Sequence, residues 1–399
     1  MTFLFKEFKG VFKMKKVLVV GAGVAGLAVC YWLKEFGFSP TLIEKSNALR
    51  KGGYGVDIFG IAVDIAKKMS VYEKICAMRT QLEHGFYVNA DGHTLVEEQG
   101  EKFGFRQGEE VEILREDLIE ILKQAIKDIP CHFNQRIKRI KQDGKHVEVT
   151  FKDNKTENYD LVIGADGVHS TTRAFTFDKE EYDLIDFGCY SAIFSLPNYL
   201  KLRQSEIAFD ANQKFISVSS DKNPTIALAS LMFHSNRGDN IRNEKDQKSF
   251  FKDAFIDLGW ETNNLLQYME ESNDFYFDVA IQIKMKSWTK GRIALVGDSG
   301  YCSTALSGQG TTTALVGAYI LAGELKAANG NHITAFERYN MLLHPFVEAN
   351  QELGAWINET FLLEDAVSKE AVEARTDNII KKISAISNVI KLPEYSAYK

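Results

Sequence analysis

Lys16-Val17-Leu18-Val19-Val20-Gly21-Ala22-Gly23-Val24-Ala25-Gly26 is the stretch whose reading decides the fold. Its first five residues form an apolar, mostly β-branched run of strand length. Three glycines follow, and the apolar spacing from Val24 to about Phe36 then changes to that of a helix. Thr41 to Glu44 reads as a second strand, so the chain opens with a βαβ unit. In such a turn the first glycine allows the tight bend, the second lets a pyrophosphate approach the backbone, and the third lets helix and strand pack closely. The helix N-terminus meets the phosphate charge. Glu44 stands about 20 residues beyond the fingerprint, where a carboxylate accepts hydrogen bonds from a ribose with a free 2′-hydroxyl. A lone glycine fingerprint is weak. With strand, helix and acidic residue in register, it predicts an adenine dinucleotide without a 2′-phosphate.

Further along, Cys131 to Phe151 reads as a hairpin turning at Asp143-Gly144. Tyr159 to Ile163 returns to a buried-strand pattern and ends in Gly164-Ala165-Asp166-Gly167, with Ser170 and Arg173 close behind. From Phe187 to Ile283, runs rich in Phe, Tyr and Ile suggest a separate mixed sheet around a helical insert near Glu244 to Leu258. Arg292 to Val296 is a short buried strand leading into Gly297-Asp298, and Ser307-Gly308-Gln309-Gly310 precedes a long helix from Thr311. The expected class is α/β: a Rossmann-like nucleotide-binding domain with an inserted mixed β-sheet substrate domain and C-terminal helices. The expected boundaries are 14–78, 107–180 and 290–330 for the first domain, 79–106 and 181–289 for the second, and 331–399 for the helices.

The fingerprint does not separate NAD from FAD. Asp298 follows a strand's carboxyl end, where open α/β sheets bind ligands, and suits a second polyol contact such as the ribityl chain of FAD. The partial positive charge at the start of the helix near Thr311, aimed at a flavin's pyrimidine end, would stabilise its anionic reduced form. Blander readings make Asp298 a cap or turn former, and Asp166-Gly167 a turn with Arg173 in a surface ion pair. An NAD-dependent dehydrogenase would leave Asp298 unexplained.

The chain has 399 residues, enough for two or three domains. Its net charge of -6 offers no basic patch for nucleic acid or anionic lipid. Five scattered cysteines without a CxxC suggest neither a zinc site nor a disulfide framework, and fit a reducing cytoplasm. Met1 to Lys13 contains no uninterrupted signal-peptide core. Within the uncharged stretch Ser299 to Gly323, only Ala314 to Gly323 is strongly apolar, too short to span a bilayer. His169 and His234 read as structural or surface residues, and no metal site is expected. A monomer acting on a small molecule is expected.

Together the three motifs resemble the class A flavoprotein monooxygenases, the group of p-hydroxybenzoate hydroxylase. The resemblance implies that Gly21, Gly23, Ala25, Gly26, Glu44, Lys45 and Gly53 lie along the ADP half of FAD, and that Gly297 and Asp298 hold the flavin half. Gly308, Gln309 and Gly310 would tune the flavin. Asp166, Gly167 and Arg173 would support FAD and a transient NADPH, and Arg115, in Glu112-Ile113-Leu114-Arg115-Glu116-Asp117, matches an arginine near the ribityl and pyrophosphate groups. NADPH and NADH are not separated. Over nearly the whole chain the resemblance extends to the tetracycline destructases of soil and Legionella type. It rests on Tyr31-Trp32-Leu33-Lys34, Lys51-Gly52-Gly53, Phe103-Gly104-Phe105-Arg106-Gln107, Gln282-Ile283-Lys284-Met285-Lys286-Ser287-Trp288 and Leu343-His344-Pro345-Phe346-Val347-Glu348-Ala349-Asn350. It implies that NADPH reduces FAD, that oxygen adds to form a flavin hydroperoxide, and that an electron-rich enolic carbon of a tetracycline is hydroxylated. No protein side chain then acts as nucleophile or base. A hydroxylase of another phenolic or polyketide compound, or a non-catalytic flavin-binding sensor, stays open.

On the middle sheet Tyr190, Phe194, Met232 and Phe233 are candidate substrate contacts, each weighed against an ordinary core role. The helical tail from about Ser368 to Ile390 is the candidate cover of the active site. The chain departs from the wider family in lacking a proline between Asp298 and Gly308, which is expected to loosen that loop by roughly 0.4–1 kcal/mol.

Overall fold

The computed structural model describes residues 15–49, 54–236, 241, 243–360 and 368–395. The opening βαβ unit is the centre of a six-stranded sheet. Its order is Thr289–Lys290, Ile293–Leu295, Leu161–Gly164, Lys16–Val20, Ser39–Ile43, Cys131–His132, parallel throughout except for the first pair. Successive side chains on a strand face opposite ways, and both faces are buried here. Val17 and Val19 pack with the helices, whereas Leu18 and Val20 pack with Val147, Val149 and Phe151 of a three-stranded antiparallel sheet. Asp143 closes the hairpin of that sheet, accepting from the backbone of Lys145 and His146 at 2.6 and 2.8 Å.

Helix Val24–Glu35 lies against helix Gly310–Ala327, whose side chains are buried almost all round. This explains the uncharged stretch in the sequence: the helix is the core of a layer. Among the described residues, no helix is long and apolar enough to cross a membrane.

A seven-stranded mixed sheet runs Tyr276–Met285, Tyr182–Pro197, Ile226–His234, Lys214–Ser220, Ser205–Ala211, His84–Val88, Thr94–Gln99. Its one parallel pair joins Ser205–Ala211 to His84–Val88. Helices Glu244–Phe255 and Thr262–Glu271 close one face. The chain then returns to the first sheet and continues as helix His332–Thr360, with Pro345 inside it, and helix Lys369–Ser387. The latter touches the middle sheet through Val372, packed with Tyr87, Val96 and Ala208, and through Arg375, which donates to Asp210 at 2.7 Å. Its far end reaches Gly60, where an added Cβ would lie 2.0 Å from Ser387 Oγ.

Candidate active site

The three fingerprint glycines divide into two kinds. Gly21 has φ +104°, and a Cβ there would sit 2.4 Å from the Ala165 carbonyl oxygen; a Cβ on Gly26 would sit 1.9 Å from the Gly21 carbonyl oxygen. These two glycines let backbones touch. At Gly23 a Cβ meets nothing within 4 Å, and the same holds at Gly167 and Gly310. Those three border open space, two of them at helix N-termini, a cradle suited to phosphate and ring atoms. Glu44 Oε2 accepts from Ala22 N and Oε1 from Ser46 N, both at 2.9 Å, so the carboxylate is fixed beside the glycine turn with lone pairs left for ribose hydroxyls. Ala25 is buried and acts as a spacer, since a Cβ on Gly297 (φ +67°) would lie 2.8 Å from its own. Lys45 is exposed. Gly53 lies outside the described residues.

In the middle motif the surface-ion-pair reading of Arg173 gives way to a buried one. Asp166 caps the start of helix Thr171–Thr176, Oδ1 accepting from Ser170 Oγ at 2.5 Å and Oδ2 from Thr172 N at 2.9 Å and Thr171 Oγ1 at 3.0 Å. Arg173 is 4% exposed, buried rather than on the surface. Its Nη1 donates to the Ser299 carbonyl at 2.7 Å and its Nη2 to the Val168 carbonyl at 2.6 Å, with the guanidinium over the Tyr182 ring. The arginine therefore clamps the Asp166 loop to the Asp298 loop. Ser299 Oγ adds a second tie, donating to the Gly164 carbonyl at 2.7 Å.

Asp298 begins the short helix Asp298–Tyr301, and its carboxyl is pushed above the usual range. Burial is the main cause; Cys302 and Arg115 oppose the shift and Asp278 adds to it. Sequence reasoning placed Arg115 and Asp298 at one ligand, and the fold does bring their charges into range of each other. It also adds residues that reading missed. Tyr54, whose carbonyl accepts from Arg115 N at 3.1 Å, stacks obliquely against Tyr276 at 5.5 Å, and Tyr276 donates to Asp278 Oδ2 at 3.1 Å. Burial raises the Tyr54 phenol, opposed by Arg115. Gly308 is left-handed at φ +65° and positions the buried Gln309 as the cap of helix Gly310–Ala327. In the proline-free segment Thr304 has φ +74°, which proline, fixed near −65°, cannot adopt.

The middle sheet corrects three substrate candidates. Tyr190, Phe194 and Phe233 are 3%, 1% and 4% exposed and pack in one core, in which Phe233 meets Phe250, Phe251 and Phe255 of the covering helix at 4.9, 5.1 and 5.5 Å. They face the helices. Alternation puts Met232 on the opposite face, where it packs with Cys189, Ala280 and Leu306. Strand register extends that face into a row across the sheet, Asp278, Ser191, Met232, Phe215 and Asp210, more polar than the face behind it. The signal was present in the sequence as Ser191-x-Ile193-x-Ser195 and Ser230-x-Met232-x-His234, polar residues four apart on the face opposite the aromatic set.

A glycine turn open at Gly23 beside Glu44, and the buried Asp298 following another strand of the same sheet, define a dinucleotide-binding enzyme of Rossmann type. The chain belongs to the FAD binding domain family, whose pattern matches residues 14–349, and it is a flavin-dependent monooxygenase. It is 57% identical over 383 residues to a flavin-dependent monooxygenase of Legionella longbeachae serogroup 1 (strain NSW150), covering 96% of this chain and 98% of that protein. The crystal structure of tetracycline destructase Tet(55) superposes with a TM-score of 0.91 at 52% identity, covering 96% of this chain and 99% of that one. That of tetracycline destructase Tet(51) gives 0.87 at 56% identity, covering 96% and 100%.

Proposed function

We propose that this monooxygenase consumes NADPH and hydroxylates tetracycline antibiotics, inactivating them. The observation that carries the reading is the match along 96% of the chain, at more than half identity, to two structures of tetracycline destructases. Bound FAD would supply hydride acceptance and oxygen activation, chemistry that side chains lack. The protein's part is to bind, orient and exclude water. Gly23 and the start of helix Val24–Glu35 would hold the pyrophosphate, and Glu44 the ribose. Asp298 and Arg115 would hold the ribityl and flavin portion, and the start of helix Gly310–Ala327 would offset negative charge on the reduced ring. Arg173 would keep the two loops in register. The substrate would lie against the Ser191, Met232 and Phe215 face of the middle sheet, whose mixed hydroxyl and apolar surface suits a flat, oxygen-rich ring system.

The test is NADPH consumption by the purified, FAD-loaded protein with and without tetracycline, with the antibiotic's absorbance followed in parallel. Bleaching that rises together with NADPH oxidation supports the reading. Bound flavin with neither signal changed by tetracycline refutes the substrate and leaves the flavin site standing.

A further inference from the structure

Helix Lys369–Ser387 buries one side, and the lower part of its stripe is isoleucine at three- and four-residue spacing: Ile379, Ile383 and Ile386 enter the core of the nucleotide-binding domain. Such a stripe holds a helix against a surface but repeats every turn. A slip of about one turn, 5.4 Å, would exchange isoleucine for isoleucine. The position of the helix along its axis therefore has to come from contacts that do not repeat. In its first half these lie on the middle sheet, where Val372 packs with Ala208 and Arg375 Nη2 is 2.7 Å from Asp210 Oδ2. Ala208 and Asp210 are two apart on one strand and share the face of Phe215 and Met232. The first half of the helix thus covers one end of that face, and a slip would carry Arg375 away from Asp210.

The other non-repeating contacts sit beyond the helix, in Leu392 to Tyr395. Tyr395 donates its hydroxyl to Glu324 Oε1 at 2.6 Å, and Glu324 is 5% exposed. The Tyr395 ring fills a notch at Gly323 of helix Gly310–Ala327, where an added Cβ would lie 2.1 Å from Cδ2 and Cε2 of the ring. Tyr319 and Phe36 wall the notch, their ring centroids 5.2 and 6.0 Å from that of Tyr395. Two further ties hold the same segment: Tyr319 donates its hydroxyl to the Pro393 carbonyl at 2.8 Å, and Lys68 Nζ is 2.9 Å from Glu394. Only Asn388 to Lys391 join this anchor to the helix, a link too short to leave the helix free of it.

We propose that Tyr395 is a positioning residue for substrate binding: seated in the Gly323 notch, it fixes the position of helix Lys369–Ser387 along its axis, and with it Val372 and Arg375 over the middle sheet. The inference rests on the reading that the substrate lies against the Ser191, Met232 and Phe215 face. Gly323 is half of the device. Inside a helix alanine is the better residue, and glycine here leaves the room that the ring occupies.

The test uses the full-length, FAD-loaded protein as wild type, Tyr395→Phe, Tyr395→Ala, Gly323→Ala and the double alanine variant. Turnover of tetracycline with NADPH gives KM and kcat, and trypsin cleavage at Lys381 and Lys382 without substrate reports on the helix itself. Tyr395→Ala and Gly323→Ala should each raise KM roughly three- to tenfold at unchanged kcat, since apparent affinity falls with the fraction of molecules whose helix is in place. Tyr395→Phe keeps the ring in its notch and should stay near wild type. In the double variant the two effects should not add, because the methyl at 323 then enters space the ring has left. A lower melting temperature with KM unmoved in both single variants overturns the proposal, and so do additive effects on KM. If Gly323→Ala fails to fold, the two variants at 395 decide by the same criterion. If tetracycline is not turned over, cleavage decides. Faster cutting of Tyr395→Ala than of Tyr395→Phe then upholds the anchor while the substrate reading alone falls, and equal cutting overturns the anchor.

Discussion

Gly23 and Gly26 are three residues apart, yet alanine at each should weaken FAD binding for a different reason and should destabilise the flavin-free fold only at Gly26. At Gly26 the new methyl would lie 1.9 Å from the Gly21 carbonyl oxygen, a backbone atom held by the Gly21 N to Ile43 O bond of 2.8 Å. Neither helix nor turn can yield cheaply, and overpacking of this kind costs typically 1–3 kcal/mol or more. Gly26→Ala should therefore lower the melting temperature of the flavin-free protein and lose FAD with it. Gly23 has φ −82° and ψ −176°, an extended conformation open to any residue, and its Cβ would meet nothing. Alanine there stiffens the unfolded chain, a gain of about 0.4–1 kcal/mol, and gives up a favourable cap, a loss of similar size. The flavin-free fold should melt within a few degrees of wild type. If the open space belongs to the pyrophosphate, the methyl takes its place and FAD binding should weaken at least tenfold, about 1.4 kcal/mol. Circular-dichroism melts of deflavinated protein and FAD titrations by flavin fluorescence separate the two effects. Wild-type FAD affinity in Gly23→Ala would show that the cradle assignment is wrong; a wild-type melt for Gly26→Ala would show the same of the packing argument.

Three other outcomes follow from charged and polar groups elsewhere. Burial pushes the carboxyls of Asp57 and Glu206 up to about 7, against the attraction of Arg106, whose Nη1 is 2.9 Å from Asp57. Their contribution is complete below about pH 4, where folded and unfolded chains both hold the protons. It is lost as pH rises to 7, because the unfolded chain ionises first, by at most about 1.4 kcal/mol per pH unit for each retained proton. Urea unfolding between pH 4.5 and 7.5 should show the decline, and Glu206→Gln should flatten it; equal slopes would refute the assignment. Arg375→Met removes the guanidinium from the buried Asp210 and should cost up to about 3–5 kcal/mol, loosening helix Lys369–Ser387 so that trypsin cuts sooner at Lys381 and Lys382. Unchanged cleavage would mean that the ion pair does not hold the helix. Arg173→Met deletes both ties to the Val168 and Ser299 carbonyls, so FAD should dissociate faster even where the fold survives; a wild-type off-rate would mean that the Asp298 loop holds itself.

How much of this was legible beforehand depended on whether a residue's role is local. The glycine turn, Glu44 and the strand before Asp298 were readable because each is set by neighbours within a few positions, through backbone approach or strand-end geometry. Arg173 was not, since its partner carbonyl lies at Ser299, 126 residues away, and an arginine after an Asp-Gly turn looks the same whether it meets solvent or a distant loop. On the middle sheet, the aromatic residues drew attention because of their size. Yet a strand has two faces one residue apart, and size says only which face is packed. Phe233 went to the helices and Met232 to the side of Leu306, so the face proposed for the substrate is the one with the smaller and more polar residues. Thr304 shows the same limit at the level of backbone. A missing proline suggested a looser loop; what no local reading could supply is that the segment holds a β-branched residue at positive φ against Gly354, on a helix 50 residues onward.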